Sequence, residues 1–205
     1  MISPLELAAN VVMAVSILLA GRNSIHTWWT GIVGCILFGV LFYQAKLFAD
    51  VILQLFFVGT SVLGYRQWRF GNAGKPKAIS PVGKRTLLKI VPLGLIVVSL
   101  YGLLLHRFTD AYAPFWDSGI LVFSVVAQVL MMRRNVECWI FWLAVNSIAV
   151  PLYAGRDLYL TSGLYACYWI HAVVAVFYWQ RLLAAEKMQK IAKNGFGKKL
   201  ADETG

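Results

Sequence analysis

Seven long apolar stretches run through this 205-residue chain, grouped as three, then one, then three. A run of about 20 apolar residues is long enough to cross a hydrocarbon core of roughly 30 Å as a helix, so the layout predicts an all-α membrane protein. The predicted spans lie near residues 4–20, 28–45, 48–66, 87–105, 116–132, 138–154 and 158–180. A 60% hydrophobic content with 14% charged residues excludes an ordinary soluble domain. The first stretch lacks a basic leader, carries Glu6 early and ends in no small-residue cleavage site, so it is read as a retained span. Only residues 67–86 and 181–205 form polar segments of any size, too little for a soluble catalytic domain.

The net charge of +10 would fit nucleic-acid binding if it were gathered on one soluble face. Instead it sorts by side of the membrane. Of nineteen Lys and Arg, only Lys46, Arg107 and Arg156 fall on one side and the other sixteen on the opposite side. The positive-inside rule then places the carboxyl terminus in the cytoplasm and, with seven crossings, the amino terminus outside. The basic loops follow from orientation and contact with membrane lipids, and no nucleic-acid partner is implied.

The two triplets share a pattern. Displacing the chain by 111 residues aligns Arg22 with Arg133, Trp28 with Trp139, Leu53 with Leu164 and Trp68 with Trp179, without a gap. Each triplet has an odd number of spans, so the fourth span lets both enter the membrane in the same direction. The predicted organisation is a first three-helix bundle (1–69), a basic cytoplasmic loop (70–86), a linker helix (87–106), a second, parallel bundle (107–181) and a basic cytoplasmic tail (182–205) that begins as a short amphipathic helix. Parallel repeats of this kind occur in transporters, with substrate held at mid-membrane between the halves.

Polar side chains at membrane depth are costly unless paired or facing a polar cavity, so they are site candidates. Gln54 lies in the third span and Asn146 in the sixth, each able to donate and accept, though either would equally serve as a helix-to-helix hydrogen bond. Trp142 stands four residues before Asn146 on the same helix face, with Trp139 a turn further back. In the seventh span Tyr165, Tyr168 and Trp169 follow at i, i+3 and i+4. Aromatic side chains beside an amide suit a planar heterocycle, and a cationic ring gains a cation-π attraction. Trp28, Trp29, Trp68, Tyr178 and Trp179 lie near span ends and fit an interfacial belt. Asp50, four residues after Lys46, marks the outer mouth either as a local ion pair or as an attractor of cationic substrate, and Pro151 is a candidate hinge. His171 lacks companions for a metal site and is expected to bond a neighbouring helix. Cys35, Cys138 and Cys167 are read as small apolar residues without a disulfide. No cofactor is implied.

The run from Trp28 to Trp68, with Asp50-x-x-Leu53-Gln54, and the run from Glu137 to Trp179, with Trp139-x-x-Trp142-x-x-x-Asn146, resemble the two halves of the PnuC family of bacterial vitamin transporters. The resemblance implies a full-length relative of the SWEET fold, a homotrimer in the inner membrane, and facilitated diffusion of a vitamin precursor. Nicotinamide riboside is the typical substrate, trapped by a cytosolic riboside kinase; thiamine and riboflavin are carried by other members. On this reading the substrate ring stacks on Trp142 and a seventh-span aromatic residue while Gln54 and Asn146 hold its ribose or carboxamide. Trp169 and His171 depart from the family pattern, where aliphatic residues are expected. A SWEET-type sugar carrier is the nearest alternative. A retinal protein would need a lysine between Leu158 and Tyr178, a metal-dependent lipid hydrolase more than three scattered histidines, and a serine intramembrane protease a Gly before Ser162; each is missing. The chain is therefore not expected to be an enzyme.

Overall fold

The computed structural model describes residues 3–44, 48–71, 74, 76–109 and 112–203, the side chains of 48–50 and 193–203 excepted. Among these residues are seven helices and no strand: α1 (Pro4–Gly21), α2 (His26–Gln44), α3 (Phe48–Phe70), α4 (Lys84–Phe108), α5 (Pro114–Met132), α6 (Cys138–Ala154) and α7 (Tyr159–Glu203). Local chemistry sets their ends. Ser3 caps α1 by accepting from the Glu6 amide at 3.1 Å, and proline opens both α1 and α5, where its missing N–H costs no helical bond.

By length and composition α1, α2, α4, α5 and α7 can each cross a membrane. The other two predicted spans form helices that differ from these. α6 is apolar but only 17 residues long, and α3 has 23 residues but carries Gln54, Thr60, Ser61, Arg66, Gln67 and Arg69. The short amphipathic helix predicted to start the tail is not a separate element: α7 continues without a break to Glu203.

The 111-residue displacement holds in three dimensions. Applied to α1 and α2 it lands on α5 and α6 to within one residue at every bound, and it carries the start of α3 onto the start of α7. The caps repeat too. Asn23 and Arg134 both adopt left-handed backbone (φ 54° and 58°). Each sits in a Schellman turn, with the next amide bonded five residues back, Ser24 to Leu19 and Asn135 to Leu130, both at 2.9 Å.

Helix contacts close a ring in the order α1, α2, α3, α5, α6, α7 and back to α1, and α4 packs outside it on α5. The basic end of this ring is sealed by a row of four indoles. Trp28 meets Trp68 (5.2 Å between centroids), Trp68 meets Trp179 (5.7 Å) and Trp179 meets Trp139 (5.8 Å), a series that the displacement maps onto itself. Trp68 Nε1 donates to the Met131 carbonyl and Trp179 Nε1 to the Gly21 carbonyl, both at 3.1 Å, so each triplet's last helix caps the other triplet's first. These are core residues, not members of an interfacial belt; Trp179 is 0% exposed. Their near-end position in the sequence reads as interfacial, yet the ring buries them by bringing four helix ends together.

The segment 76–83 crosses this end. Its Ile79 lies in the same core cluster, and Ser80 forms a parallel bridge with Asn135 in the α5–α6 turn.

Candidate substrate site

α6 presents Trp142 and Asn146 on one face, and the structure keeps them inside the ring. Asn146 is 4% exposed and has no hydrogen-bond partner among the described residues. The Trp142 Nε1 and Gln54 Oε1 atoms are buried and likewise unpartnered. Gln54 of α3 faces α2 at Gly39, where an added Cβ would lie 3.9 Å from the Gln54 Cβ. Buried polar groups in native proteins are nearly always bonded, so unsatisfied donors and acceptors deep in an apolar ring stand ready for a ligand or water. The same face of α6 continues, two turns on, to Tyr153, which packs on Tyr165 of α7 (5.1 Å between centroids), and Tyr165 on Tyr168 (5.9 Å).

Other sequence-predicted residues fall elsewhere. Trp139 belongs to the indole row at the basic end, edge-on to Trp179 and to His171. Trp169 is 40% exposed and donates from Nε1 to Ser147 Oγ at 2.9 Å. Together with Pro151, Ala166 and Ile170 these two line an open groove of about 440 Å³ between α6 and α7. Ser147 and Pro151 lie roughly 100° and 140° around the helix from Asn146, given 3.6 residues per turn, so this groove is on the outer side. The backbone of Asp50 lies in α3; its side chain and all of Lys46 lie outside the described residues.

His171 makes the helix-to-helix bond anticipated for it: Nε2 lies 3.0 Å from the Ile17 carbonyl, joining α7 to α1. Gly21 makes room, since a Cβ there would lie 2.3 Å from that nitrogen. The repeat position of His171 is Thr60, and Thr60 Oγ1 accepts from Gln128 Nε2 at 3.3 Å, joining α3 to α5. Each seam between the triplets is thus bridged at this level too, beyond the Trp68 and Trp179 bonds at the basic end. Gln128 and Thr60 escaped the sequence reading; the signal was present, a second glutamine inside an apolar span.

At the opposite end Arg156 pairs with Asp117 at 2.9 Å and lies over the Tyr112 ring at 5.1 Å. No group of three or more His, Cys, Asp or Glu among the described residues could hold a metal. The three cysteines are free, Cys35 and Cys138 buried and Cys167 exposed.

A ring of apolar helices closed around unsatisfied indole and amide groups belongs to a class, the multi-pass membrane transporters. Residues 3–181 match the family described as nicotinamide mononucleotide transporter, and the chain belongs to that family. It is 28% identical to the nicotinamide riboside transporter PnuC of Escherichia coli K12 (78% of each chain covered). It is 26% identical to the protein of the same name from Neisseria mucosa (85% of this chain, 71% of the other). Identity to the riboflavin/roseoflavin transporter RibM of Streptomyces davaonensis is 24% (80% and 78%). Among solved structures, the fold is similar to the crystal structure of the vitamin B3 transporter PnuC, with a TM-score of 0.67 and 26% identity over 86% of this chain and 80% of that one.

Proposed function

We propose that this protein carries nicotinamide riboside across the bacterial inner membrane by facilitated diffusion. The observation that carries the reading is the set of unpartnered polar groups inside the ring, Trp142 Nε1, Gln54 Oε1 and the Asn146 amide, in a chain whose relatives include proteins named as nicotinamide riboside transporters. The pyridinium ring of the riboside stacks on Trp142, with Tyr168 or Tyr165 opposite, and its cationic charge strengthens the contact. Gln54 and Asn146 bond the ribose hydroxyls and carboxamide.

The two triplets act as parallel three-helix bundles of the SWEET type, linked by α4, and rock about this site so that it opens to one side at a time. Three copies assemble as a homotrimer among membrane lipids, the amino terminus outside and the carboxyl terminus in the cytoplasm. Transport runs down the substrate gradient, and phosphorylation by a cytosolic riboside kinase makes it uptake. Asp50 at the outer mouth attracts the cationic substrate, and Pro151 gives α6 a hinge.

The similarity to a riboflavin/roseoflavin transporter favours one second reading, a flavin carrier using the same residues. Calorimetry on the purified protein with nicotinamide riboside, thiamine and riboflavin separates them. Binding of nicotinamide riboside alone, abolished by both Trp142→Ala and Asn146→Ala, is the expected result. Binding of riboflavin instead selects the second reading, and binding of none rejects a vitamin substrate.

A further inference from the structure

We infer that residues 76–83, the strap joining α3 to α4, form the gate at the basic end of the ring, with Ile79 as its plug. The inference rests on the transport reading, because a gate implies a path.

The strap is not a loose connection. Ile79 is 4% exposed and sits in the cluster that contains Trp28, Trp68, Trp139 and Trp179. A path along the ring axis is therefore blocked at this end by the indole row and by one aliphatic side chain that does not belong to any ring helix. The strap is held by two backbone bonds at Ser80, from its amide to the Arg134 carbonyl (3.2 Å) and from the Val136 amide to its carbonyl (3.3 Å), and otherwise by side chains gripping its backbone. The Ile79 amide donates to Glu186 Oε2 on the extension of α7 at 3.1 Å, and the Val82 amide to Glu137 Oε2 at 2.8 Å. Asn135 Nδ2 donates to the Ser80 carbonyl and hydroxyl (3.2 and 3.1 Å), and Arg134 Nη1 to the Lys77 carbonyl. All four gripping residues belong to the second triplet or its α7 extension, whereas the strap grows from the first.

That division makes the strap responsive to the motion the cycle requires. When the triplets separate at the basic end, Glu137, Asn135, Arg134 and Glu186 move away from the strap's origin on α3. Most of its bonds are part-buried side-chain contacts, which water replaces at a net cost of about 1 kcal/mol each. Ile79 leaves with them. Packing within each triplet offers no comparable release, since α1 to α3 and α5 to α7 move as units; at the seams the Trp68–Trp179 contact parts together with the strap.

Cys138, the first residue of α6, is fully buried in the cluster that holds Ile79, directly after the Glu137 that grips Val82. It reports opening without an added probe. The experiment measures maleimide labelling of Cys138 in the purified full chain carrying Cys35→Ala and Cys167→Ala, without substrate. A parallel set retains Cys35, buried in α2, and replaces Cys138 and Cys167. Ile79→Ala and Glu186→Ala are each expected to raise Cys138 labelling at least about fivefold, with Cys35 labelling unchanged and Ile79→Val close to the unsubstituted protein. Unchanged Cys138 labelling, or an equal rise at both cysteines, overturns the gate; the equal rise would mean general loosening. Glu186→Ala decides alone if Ile79→Ala does not fold. No arm uses substrate, so a failure of the vitamin assignment leaves this result standing and the reverse holds too.

Discussion

Asn23 and Arg134 stand one repeat apart, share a left-handed backbone, and are bonded to each other, Arg134 Nε to Asn23 Oδ1 at 3.0 Å. Two equivalent turns thus meet across the pseudo-symmetry axis. Arg134 also lies over the Trp68 ring at 4.8 Å and holds Lys77 of the strap, so one guanidinium ties both turns, α3 and the strap. Burial lowers its pKa below arginine's ordinary value, with Glu186 acting in the opposite sense. Arg134→Ala removes a charge-assisted bond and a cation-π contact and is expected to cost about 2–4 kcal/mol. Asn23→Gly keeps the left-handed geometry and loses only the acceptor, and it should cost less than Asn23→Ala, which adds about 1 kcal/mol of backbone strain. Unfolding in detergent gives the order; equal losses for Gly and Ala would reject the backbone argument.

Trp68 and Trp179 perform one task twice, each donating to a carbonyl at the end of the other triplet's first helix. Trp68→Phe and Trp179→Phe are expected to cost roughly 1 kcal/mol apiece from the lost bond, beyond any repacking. Because their rings touch at 5.7 Å, the double variant should depart from the sum by at least about 0.5 kcal/mol. Additive losses would mean that the row does not act as a unit.

Two glycines of α3 should respond in opposite ways. A Cβ on Gly64 would lie 2.5 Å from the ring of Trp28, which is locked among other indoles, so Gly64→Ala is expected to cost about 1–3 kcal/mol. A Cβ on Gly59 meets nothing within 4 Å, and Gly59→Ala should be neutral or gain up to about 1 kcal/mol from helix propensity. Thermal midpoints of the two proteins test this, and a stable Gly64→Ala would contradict the packing.

The two sides of α6 separate binding from scaffold. Asn146→Ala is expected to weaken nicotinamide riboside binding at least tenfold, about 1.4 kcal/mol. Trp169→Phe, which loses only its bond to Ser147 in the outer groove, should leave affinity within about twofold. Titration calorimetry of both variants decides it. A Trp169→Phe loss matching that of Asn146→Ala would move the site to the groove.

Much of this was legible in the residues because it depends on local spacing or on sums along the chain. Apolar run length predicts seven helices, the distribution of lysine and arginine marks one end as basic, and the four-residue step from Trp142 to Asn146 holds in any helix. The 111-residue displacement needs only paired landmarks such as Trp28 with Trp139, and the helix bounds follow it. What sequence spacing does not encode is which face of each helix meets which neighbour. Tertiary packing decided that Trp139 and Trp179 are buried in a sealing row, that Trp169 faces an outer groove while Asn146 faces the interior, and that Gln128 meets Thr60. It also carried Ile79, an unremarkable residue of a polar loop, into the core, through the Ile79–Glu186 bond and the neighbouring Lys77–Arg134 bond, which span 107 and 57 residues. Those partners are joined by the closing of the ring, and no local pattern announces them.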